Sequence, residues 1–303
     1  MPELPEVETI RRGLDNLVIG KQVSAVDFDT AKSFPNSPSD VRKFLIGAKV
    51  KTINRRGKAL IIQLDSGYSL IIHLRMTGQL VYDDGTTHFG AGHPNDSLVS
   101  SLPDKSTRVK LTFTGGSRLF FNDQRKFGWV RLYPSLMIDE IDFFRRLGPE
   151  PLAPDFTWQN FRGRLLLRPR SSIKATLLDQ SVVAGVGNIY ADESLWEARI
   201  HPSTTVNSLT VKDFKNLHLA LIKVLNLSLD YGGSTDRNYV NVEGKRGSYL
   251  EFASVFRRQN QPCPRCSMLI EKIRVAGRGT HYCPHCQKLK PTNKRSVYTM
   301  EDK

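Results

Sequence analysis

The sequence lacks any long hydrophobic run, and it has few acidic residues for its number of basic ones. None of its apolar stretches approaches the ~20 residues of a membrane-spanning helix, and its acidic first residues have no apolar core of the kind found in signal peptides. Asp and Glu total 30 against 44 Lys and Arg, which gives a formal net charge of +14. We therefore expect a cytoplasmic protein with a polyanionic partner, nucleic acid before an anionic membrane.

Cysteine is also scarce, and its placement is informative. The four cysteines form two CxxC pairs with sixteen residues between them. The pairs are Cys263 with Cys266 and Cys283 with Cys286. This spacing is typical of one structural zinc site with four thiolate ligands. Two disulfides or a redox CxxC motif are the alternatives, and a cytoplasmic chain with two matched pairs disfavours both. His281 and His285 are further candidate ligands, although four sulfurs suffice.

Hydrophobic periodicity predicts an α+β fold. Apolar residues recur at spacings of three and four over residues 5–18, which predicts an amphipathic helix. Short β-rich runs continue to residue 133 and favour a β-sandwich or barrel. Within them, the polar, Gly/Pro-rich segment 82–104 is predicted to be a long loop.

The chain becomes helical from residue 134 onwards. One long helix is predicted to begin near Thr210 and Asp213, whose spacing resembles a capping box, and a Gly-rich loop is predicted over 231–250. We predict three domains: a β-sandwich (1–133), a helical domain (134–256), and a finger with a basic tail (257–303). The last of these holds 11 basic and 3 acidic residues, which indicates a nucleic-acid contact there.

The N-terminal stretch MPELPEVET has two interpretations. A proline and acidic residues suit the start of a helix, where Pro fits the first turn and carboxylates favour the positive end of the dipole. Alternatively, removal of Met1 makes Pro2 a secondary amine, which can attack an electrophilic carbon and form an iminium directly. Glu3 and Glu6 are then candidate acid/base groups beside the nucleophile. Taken by itself the stretch favours the helix start, which is the commoner of the two, and the rest of the chain has to decide.

Several basic positions are candidates for phosphate binding. Arg278 lies between glycines in the segment that joins the cysteine pairs, and we expect it at the tip of a hairpin. Asn188 follows a Gly-rich turn and is expected at a helix N-cap, where backbone N–H groups bind phosphate. Lys58 begins an apolar strand after two arginines, although basic strand edges also serve to limit aggregation.

A second group contains residue types that insert into a base stack. Met76 follows an apolar strand in HLRMTG, and Arg125 and Phe127 occupy a turn in NDQRKFG. Met and Phe at such turns often simply pack over the edge of the hydrophobic core. Together, however, they are the types that fill the gap left by an extruded nucleotide.

These motifs occur together in a fixed order. PELPEVET, GK before an apolar strand, HLRMTG, QRKFG, LLDQ…AGVGNIYADE and the four-cysteine finger follow one another from Pro2 to about Lys288. In this the chain resembles the bacterial formamidopyrimidine-DNA glycosylases, which repair oxidised purines. It reads PELPE where the related endonuclease VIII branch has PEGPE, which favours the purine branch. The resemblance implies a β-sandwich with a leading helix, a helix–two-turns–helix domain and a zinc-ribbon finger.

The resemblance also implies an activity and its residues. The expected substrate is double-stranded DNA with 8-oxoguanine, formamidopyrimidines or abasic sites, cleaved by β,δ-elimination after base removal. Pro2 corresponds to the Schiff-base nucleophile, Glu3 to the acid/base, and Glu6 to a group that orients the terminus. Lys58 corresponds to a proton-transfer lysine, and Arg278 is also assigned a part in the elimination. The expected DNA contacts are Met76, Arg125 and Phe127 as void-filling residues, and Arg170, Lys174, Asn188 and Arg278 as backbone contacts.

Two alternatives remain at this stage, and three segments depart from the family pattern. The alternatives are an oxidised-pyrimidine glycosylase and a non-enzymatic zinc-ribbon binder; the second leaves Pro2 and Glu3 unexplained. Ser106 stands where many relatives have a histidine, the 82–104 segment is longer than usual, and a tail extends beyond Lys288. We expect a monomer associated with the bacterial nucleoid.

Overall fold

The computed structural model describes residues 1–93, 95–233 and 249–291. The chain divides into two compact units, each built from two stretches of sequence. The first comprises Met1–Leu147 and Leu225–Phe252, and the second comprises Gly148–Val224 and Ala253–Lys303. The three domains predicted from the sequence, with boundaries after residues 133 and 256, stay a prediction. Most of the predicted Gly-rich loop (234–248) and the end of the tail (292–303) lie outside the described residues.

Nine strands of the first unit form two antiparallel sheets, as the β-sandwich prediction requires. They are β1 (Val23–Phe28), β2 (Val50–Arg56), β3 (Ala59–Leu64), β4 (Tyr68–His73), β5 (Gly78–Asp83), β6 (His88–Gly92), β7 (Thr107–Phe113), β8 (Arg118–Asp123) and β9 (Trp129–Pro134). One sheet has the order β1-β7-β8-β5-β6 and the other the order β2-β3-β4-β9. Their facing residues form one large apolar core, which α1 (Leu4–Val18) also joins.

Two connections between the sheets lie side by side because of the strand order. β4 pairs with β9 in one sheet, with His73 opposite Trp129, and β5 pairs with β8 in the other, with Gly78 opposite Asp123. The β4–β5 and β8–β9 connections therefore leave paired strands and enter paired strands. The topology brings together the two turns that contain HLRMTG and NDQRKFG.

Helix α1 packs its apolar stripe into this core. Its buried positions follow the predicted helical spacing, and the helix begins one residue before the predicted start. Gly13 makes close packing possible, because a Cβ there would lie 2.1 Å from Cζ of Phe89 on β6. The ring of Phe89 therefore occupies the space that any other residue at position 13 would fill.

The described residues of the 82–104 segment form regular structure, and its prediction as a long loop is wrong. It contains the end of β5, the whole of β6 and a 3-10 helix at Asp96–Leu98. Its glycines allow close packing instead of breaking the sheet: a Cβ at Gly92 would lie 2.5 Å from the carbonyl oxygen of Gly78. Glycine in a strand marks close approach of backbone as often as it marks a loop.

Short helical segments complete the first unit. They are α2 (Pro38–Asp40), a π-helical turn at Val41–Leu45, a 3-10 helix at Ser135–Glu140, α3 (Asp142–Arg145) and α8 (Tyr249–Phe252). The helix at Ser135–Glu140 and α3 cover the outer face of the four-stranded sheet, where Ile61, Ile71 and Phe144 are buried.

The second unit is helical and ends in a two-stranded hairpin. Its elements are α4 (Trp158–Leu166), α5 (Ile173–Leu178), α6 (Asn188–Glu197), a 3-10 helix at Val206–Ser208, the first part of α7 (Val211–Asp230), β10 (Glu271–Val275) and β11 (Arg278–Tyr282). The predicted capping box at the start of α7 is present: Thr210 N–H donates to Asp213 Oδ2 (2.7 Å), and Asp213 N–H donates to Thr210 Oγ1 (3.3 Å). No helix within the described residues is long and apolar enough to span a bilayer.

Candidate active site and zinc centre

The N-terminus of the first unit is partly buried at the head of α1. Met1 is 49% exposed, whereas Pro2 is buried and Glu3 and Glu6 are 3% and 4% exposed. The Glu3 N–H donates to Glu6 Oε2 at 2.7 Å, so the Glu6 carboxylate fixes the backbone immediately after Pro2. Gly233 lies against this group: its φ is +87°, and a Cβ there would be 3.1 Å from Glu6 Oε1. The predicted catalytic residues Pro2, Glu3 and Glu6 thus form one cluster.

Glu8, the third acid of the opening stretch, has a structural role. Its carboxylate pairs with Arg11 (3.0 Å) and Arg12 (3.0 Å) on its own helix and with Arg55 (3.3 Å) on β2. Burial would raise the pKa of Glu8, but the hydrogen bonds and charges of these arginines outweigh it and lower the pKa below its usual value. Glu8 therefore ties α1 to the four-stranded sheet as an anion.

Lys58 lies in the turn between β2 and β3 and is 7% exposed. Gly57 precedes it with φ +57°, and the Gly57 carbonyl accepts a hydrogen bond from Arg55 Nη1 (2.9 Å). The side chain of Lys58 is close enough to His73, at the end of β4, for its charge to act on that imidazole. Burial, with the charges of Arg75 and Lys58, lowers the pKa of His73 to about 3. His73 is therefore neutral, and its Nδ1 accepts the Arg75 N–H at 3.0 Å.

The predicted void-filling residues form one exposed cluster on the two adjacent turns. Met76 is 38% exposed, Phe127 is 50% exposed, and Arg125 between them is also exposed. Arg125 Nη1 lies 3.2 Å from Met76 Sδ, and the guanidinium carbon lies 4.9 Å from the centre of the Phe127 ring. An ordinary core role for Met76 and Phe127 does not fit these exposures.

The four cysteines of the second unit form a zinc site. Their Sγ atoms all lie within 4.8 Å of one another. A tetrahedral zinc with Zn–S bonds of about 2.3 Å places its sulfurs about 3.8 Å apart, so the cluster fits that ion with little adjustment. None of the four is in a disulfide, which agrees with a shared metal site. Trp196 of α6 donates its indole N–H to Cys263 Sγ (3.4 Å), an outer contact that orients the ligand.

The finger hairpin positions Arg278 differently from the sequence prediction. The turn is centred on Ala276 and Gly277, with φ of +48° and +75°, and Arg278 is the first residue of β11, opposite Val275. Arg278 is exposed beside the tip and does not form it. Two successive residues with positive φ are the requirement of a type I′ turn, which explains the shift by one residue.

Lys174 lies beneath this hairpin, which corrects the predicted direct contact with phosphate. The residue is 0% exposed, and its ammonium bonds to Asp192 Oδ1 (2.6 Å), Thr280 Oγ1 (2.7 Å) and the Gly279 carbonyl (3.2 Å). A buried ammonium that is paired with three acceptors of the protein is not accessible to a phosphate. The sequence shows the charge of Lys174 but gives no sign that its side chain is buried.

The other predicted backbone contacts of this unit lie at the surface or near it. Asn188 is the first residue of α6, with Gly187 as the N-cap in its place, and its Nδ2 donates to the Gly279 carbonyl (3.1 Å). Arg170 is exposed in the turn before α5. Because Gly279 directly follows Arg278, this hydrogen bond places Asn188 close to Arg278.

Ser106, the position of the family histidine, is buried within the first unit. It is 2% exposed, and its hydroxyl contacts Asp104 (2.7 Å) and Ser97 (2.9 Å). The side chain takes part in the packing of the 95–107 segment, where it supports the start of β7.

Sequence reasoning missed several buried polar residues. Asp123, at the end of β8, accepts hydrogen bonds from both exposed turns, and Asp192 of α6 bonds both Lys174 and the His281 N–H (2.9 Å). Glu193 accepts three backbone N–H groups from residues 254–256. Asp123 had one visible signal, because an aspartate at a strand end commonly organises the following turn.

Comparison with known families accounts for most of the chain. Residues 1–130 match the formamidopyrimidine-DNA glycosylase N-terminal domain, residues 147–239 match the formamidopyrimidine-DNA glycosylase H2TH domain, and residues 260–289 match a zinc finger found in FPG and IleRS. The three matches follow the order that the motifs predict.

Individual relatives give the same result. The formamidopyrimidine-DNA glycosylase of Bacillus licheniformis is 43% identical over 291 residues, 95% of this chain and 100% of the relative, and that of Streptococcus mutans is 39% identical over 290 residues, with the same coverage. The Lactococcus lactis Fpg in complex with abasic-site DNA superposes with a TM-score of 0.82 at 34% identity, covering 94% of this chain and 99% of that protein. The Thermus thermophilus MutM (Fpg) protein superposes with a TM-score of 0.80 at 37% identity, covering 96% and 100%. This chain belongs to the formamidopyrimidine-DNA glycosylase family.

Proposed function

We propose that this DNA glycosylase excises oxidised purines, 8-oxoguanine and formamidopyrimidines, from double-stranded DNA and then cleaves the resulting abasic site. The observation that carries the proposal is the head of α1, where Pro2 lies next to Glu3 and the Glu6 carboxylate holds the adjoining backbone. A merely DNA-binding protein leaves the place of Pro2 in this cluster unexplained, although the contact between Glu3 and Glu6 also belongs to a capping box that begins α1. The enzyme would act in the cytoplasm on nucleoid DNA.

Pro2 is the proposed nucleophile once Met1 is removed. Met1 is exposed and therefore accessible to an aminopeptidase, and its removal converts the Pro2 amide nitrogen into a secondary amine. The amine attacks the C1′ carbon of the damaged nucleotide, the C1′–N bond breaks, and the base leaves with its electron pair. Loss of the amine proton and opening of the sugar ring then give an iminium between Pro2 and C1′.

Glu3 is the proposed acid/base of this step, and Glu6 and Lys58 support it. Ring opening requires a proton on the sugar ring oxygen, and a carboxyl beside the nucleophile can supply it. Glu6 keeps Glu3 and Pro2 in a fixed relation through the Glu3 N–H. Lys58 is proposed to transfer protons on the lesion side. The iminium then acidifies C2′, so that the 3′ phosphate leaves by β-elimination and the 5′ phosphate by δ-elimination.

Base removal from a duplex also requires that the nucleotide be extruded, at a cost of a few kcal/mol. We propose that Met76, Arg125 and Phe127 fill the resulting gap. Their mutual contacts join two apolar side chains and one guanidinium into a single wedge. A Lactococcus lactis Fpg has been solved with DNA containing N7-benzyl-Fapy-dG, at 34% identity and a TM-score of 0.82 over 95% of this chain and 100% of that protein. We extend such DNA to this chain as its substrate class.

The zinc finger is proposed to hold the DNA backbone. When bound, zinc supplies a fold and no reactive group, because four thiolates fill its coordination sphere. Arg278 and Asn188 contact phosphates, with Arg170 as a further basic contact, and Lys174 acts from below by fixing Gly279 and Thr280. Arg278 is also proposed to assist the elimination.

Borohydride trapping on defined duplexes tests the proposal. Protein with a free Pro2 should form a covalent adduct on duplexes that carry 8-oxoguanine or an abasic site, and protein that retains Met1 should bind these duplexes without forming it. Undiminished trapping by the Met1-retaining protein would refute the role of Pro2. Faster cleavage of oxidised pyrimidines than of 8-oxoguanine would instead assign the chain the endonuclease VIII specificity.

A further inference from the structure

One buried carboxylate contacts both turns that carry the wedge residues. Asp123 is 0% exposed, and its Oδ2 accepts the N–H groups of Phe127 (2.8 Å) and Gly128 (2.7 Å). Its Oδ1 accepts the Arg125 N–H (3.2 Å) and the hydroxyl of Thr77, the residue after Met76. The same Thr77 hydroxyl accepts the Arg125 N–H (3.1 Å). Asp123 and Thr77 therefore join the two turns to each other.

Both turns need such support because each contains a strained residue. Arg75 has φ +52° and directly precedes Met76, and Lys126 has φ +57° and lies between Arg125 and Phe127. A non-glycine residue in the left-handed region is unfavourable and persists only where the surroundings fix it. Four hydrogen bonds to one carboxylate, together with the bond from Arg75 N–H to His73 Nδ1, fix these two.

Asp123 is itself held rigidly. Its own N–H donates to the Ser106 carbonyl (2.8 Å), and its carbonyl accepts from Arg108 Nε (2.8 Å). Arg108 in turn pairs with Asp29 at 2.8 Å. The space around the carboxylate is closed, since a Cβ at Gly128 would lie 3.2 Å from Asp123 Oδ2. The carboxylate is thus a fixed point from which the turns are positioned.

We propose that Asp123 is a positioning residue that sets the placement of Met76, Arg125 and Phe127 for insertion into the duplex. The inference rests on the proposed wedge role of those three residues. Asp123 lies beneath the turns and touches no DNA; it acts through the backbone N–H groups that its oxygens accept. Its loss should therefore affect lesion extrusion specifically, and the N-terminal chemistry far less.

The test compares Asp123→Asn with Phe127→Ala, alone and combined, in single-turnover assays on 8-oxoguanine and abasic duplexes. Asparagine keeps the shape but turns an NH2 towards two donors in either orientation. Excision of 8-oxoguanine should fall about tenfold to a hundredfold, with a much smaller loss on the abasic site. Because Asp123 acts through the wedge, adding Asp123→Asn to a Met76→Ala/Phe127→Ala protein should cause little further loss.

A matched control is Asp84→Asn on the β5–β6 turn. Asp84 also accepts turn N–H groups, from Thr86 (3.0 Å) and Thr87 (2.7 Å), but that turn carries no wedge residue. Both reactions should be unchanged in this variant. If Asp123→Asn slows both substrates equally, or adds its full effect to the wedge-deleted protein, the positioning role is wrong.

A second pair of variants decides the matter should Asp123→Asn fail to fold. Thr77→Val removes the hydroxyl that joins the turns, and Thr77→Ser retains it. Selective loss of 8-oxoguanine excision in Thr77→Val, with recovery in Thr77→Ser, supports the proposal, and equal rates in the two proteins overturn it. A Phe127→Ala protein that shows no selectivity between the two substrates would refute the wedge role itself, and absence of trapping by the unmodified protein would refute the proposed function.

Discussion

The family resemblance assigns both Lys174 and Arg278 to phosphate contact, yet their surroundings give them different roles. Arg278 is exposed at the start of β11, whereas Lys174 is buried among Asp192, Gly279 and Thr280. The charge of a residue is visible in the sequence, and its accessibility is not. At the scale of single residues, burial therefore decides which basic side chains can bind a phosphate.

Substitutions at Arg278 and Phe127 should separate phosphate binding from lesion extrusion. Arg278→Ala should weaken binding to damaged and undamaged duplexes alike and reduce the slope of log K against log salt by about 0.9, the value for one phosphate contact. Phe127→Ala removes an apolar group, so this slope should hardly change while excision of a stacked lesion falls. Salt titrations of both variants, with lesion and abasic cleavage rates, provide the measurement. An equal change of slope in both variants would contradict the assignment.

His73 should make stability depend on pH. Its folded pKa of about 3 lies below the ordinary 6.5, so between these values the unfolded chain binds a proton that the folded chain does not. The unfolding free energy should therefore rise with pH through this window, with a slope from this group of up to about 1.4 kcal/mol per pH unit. His73→Asn offers an oxygen near the position of Nδ1 and does not titrate. Urea unfolding across the window should show a smaller slope for this variant, and equal slopes would contradict the assignment.

The contact between α1 and β6 shows how two elements depend on one small residue. Alanine at an exposed helical position is more favourable than glycine by about 1 kcal/mol. At Gly13 the sign should reverse, because the added Cβ would lie 2.1 Å from the Phe89 ring. We expect Gly13→Ala to lower the unfolding free energy by about 1–3 kcal/mol, as overpacked cores do. Since the proposed nucleophile Pro2 lies just before the start of α1, Schiff-base trapping should fall as well.

The companion substitution Phe89→Leu provides the control for this prediction. Leucine is shorter than phenylalanine, so the double variant should recover part of the stability that Gly13→Ala loses. Equilibrium unfolding of the two single variants and the double variant measures this coupling. Strict additivity of the two losses would show that the ring and the new methyl do not meet.

The finger is the element whose structure should depend on metal. Cys263→Ser or removal of zinc should unfold the hairpin, because the four thiolates are its main cross-link. Binding to any duplex should weaken through the displacement of Arg278. Schiff-base trapping on an abasic duplex at saturating protein should persist, since no proposed catalytic residue of the first unit is a zinc ligand. Zinc analysis of the purified protein and trapping before and after chelation check this, and protein without stoichiometric zinc that bound DNA normally would contradict it.

For the whole molecule, the sequence predicts the regular elements better than the features that depend on contacts between distant residues. Helix α1, the β-sandwich, the capping box of α7 and the zinc ligands follow from periodicity and spacing, which are local properties. The β6 strand was not predictable, since its glycines signal a loop unless it is known that Gly78 and Leu98 pack closely against them. The cluster of Met76, Arg125 and Phe127 was predicted as a group, but the Asp123 beneath it depends on a pairing between distant strands.

The uneven charge of the molecule fits a division between general DNA binding and lesion recognition. Residues 257–303 hold 11 basic and 3 acidic residues, whereas residues 134–256 hold 14 of each. A concentrated basic region attracts any duplex and is strongly sensitive to salt, and it carries no information about the lesion. The proposed lesion recognition belongs to the wedge-bearing turns of the first unit, where exposed apolar side chains accompany the basic ones.

The way the finger hairpin attaches to α5 and α6 has a consequence for how such proteins diverge. Lys174, Asn188 and Asp192 bond mainly to backbone atoms of the hairpin, the Gly279 carbonyl and the His281 N–H. Backbone atoms are the same whatever side chains the hairpin carries. Mutation can therefore exchange the outward residues of the hairpin while its attachment is inherited unchanged, and a lineage can adapt its grip on DNA without rebuilding the domain that carries it.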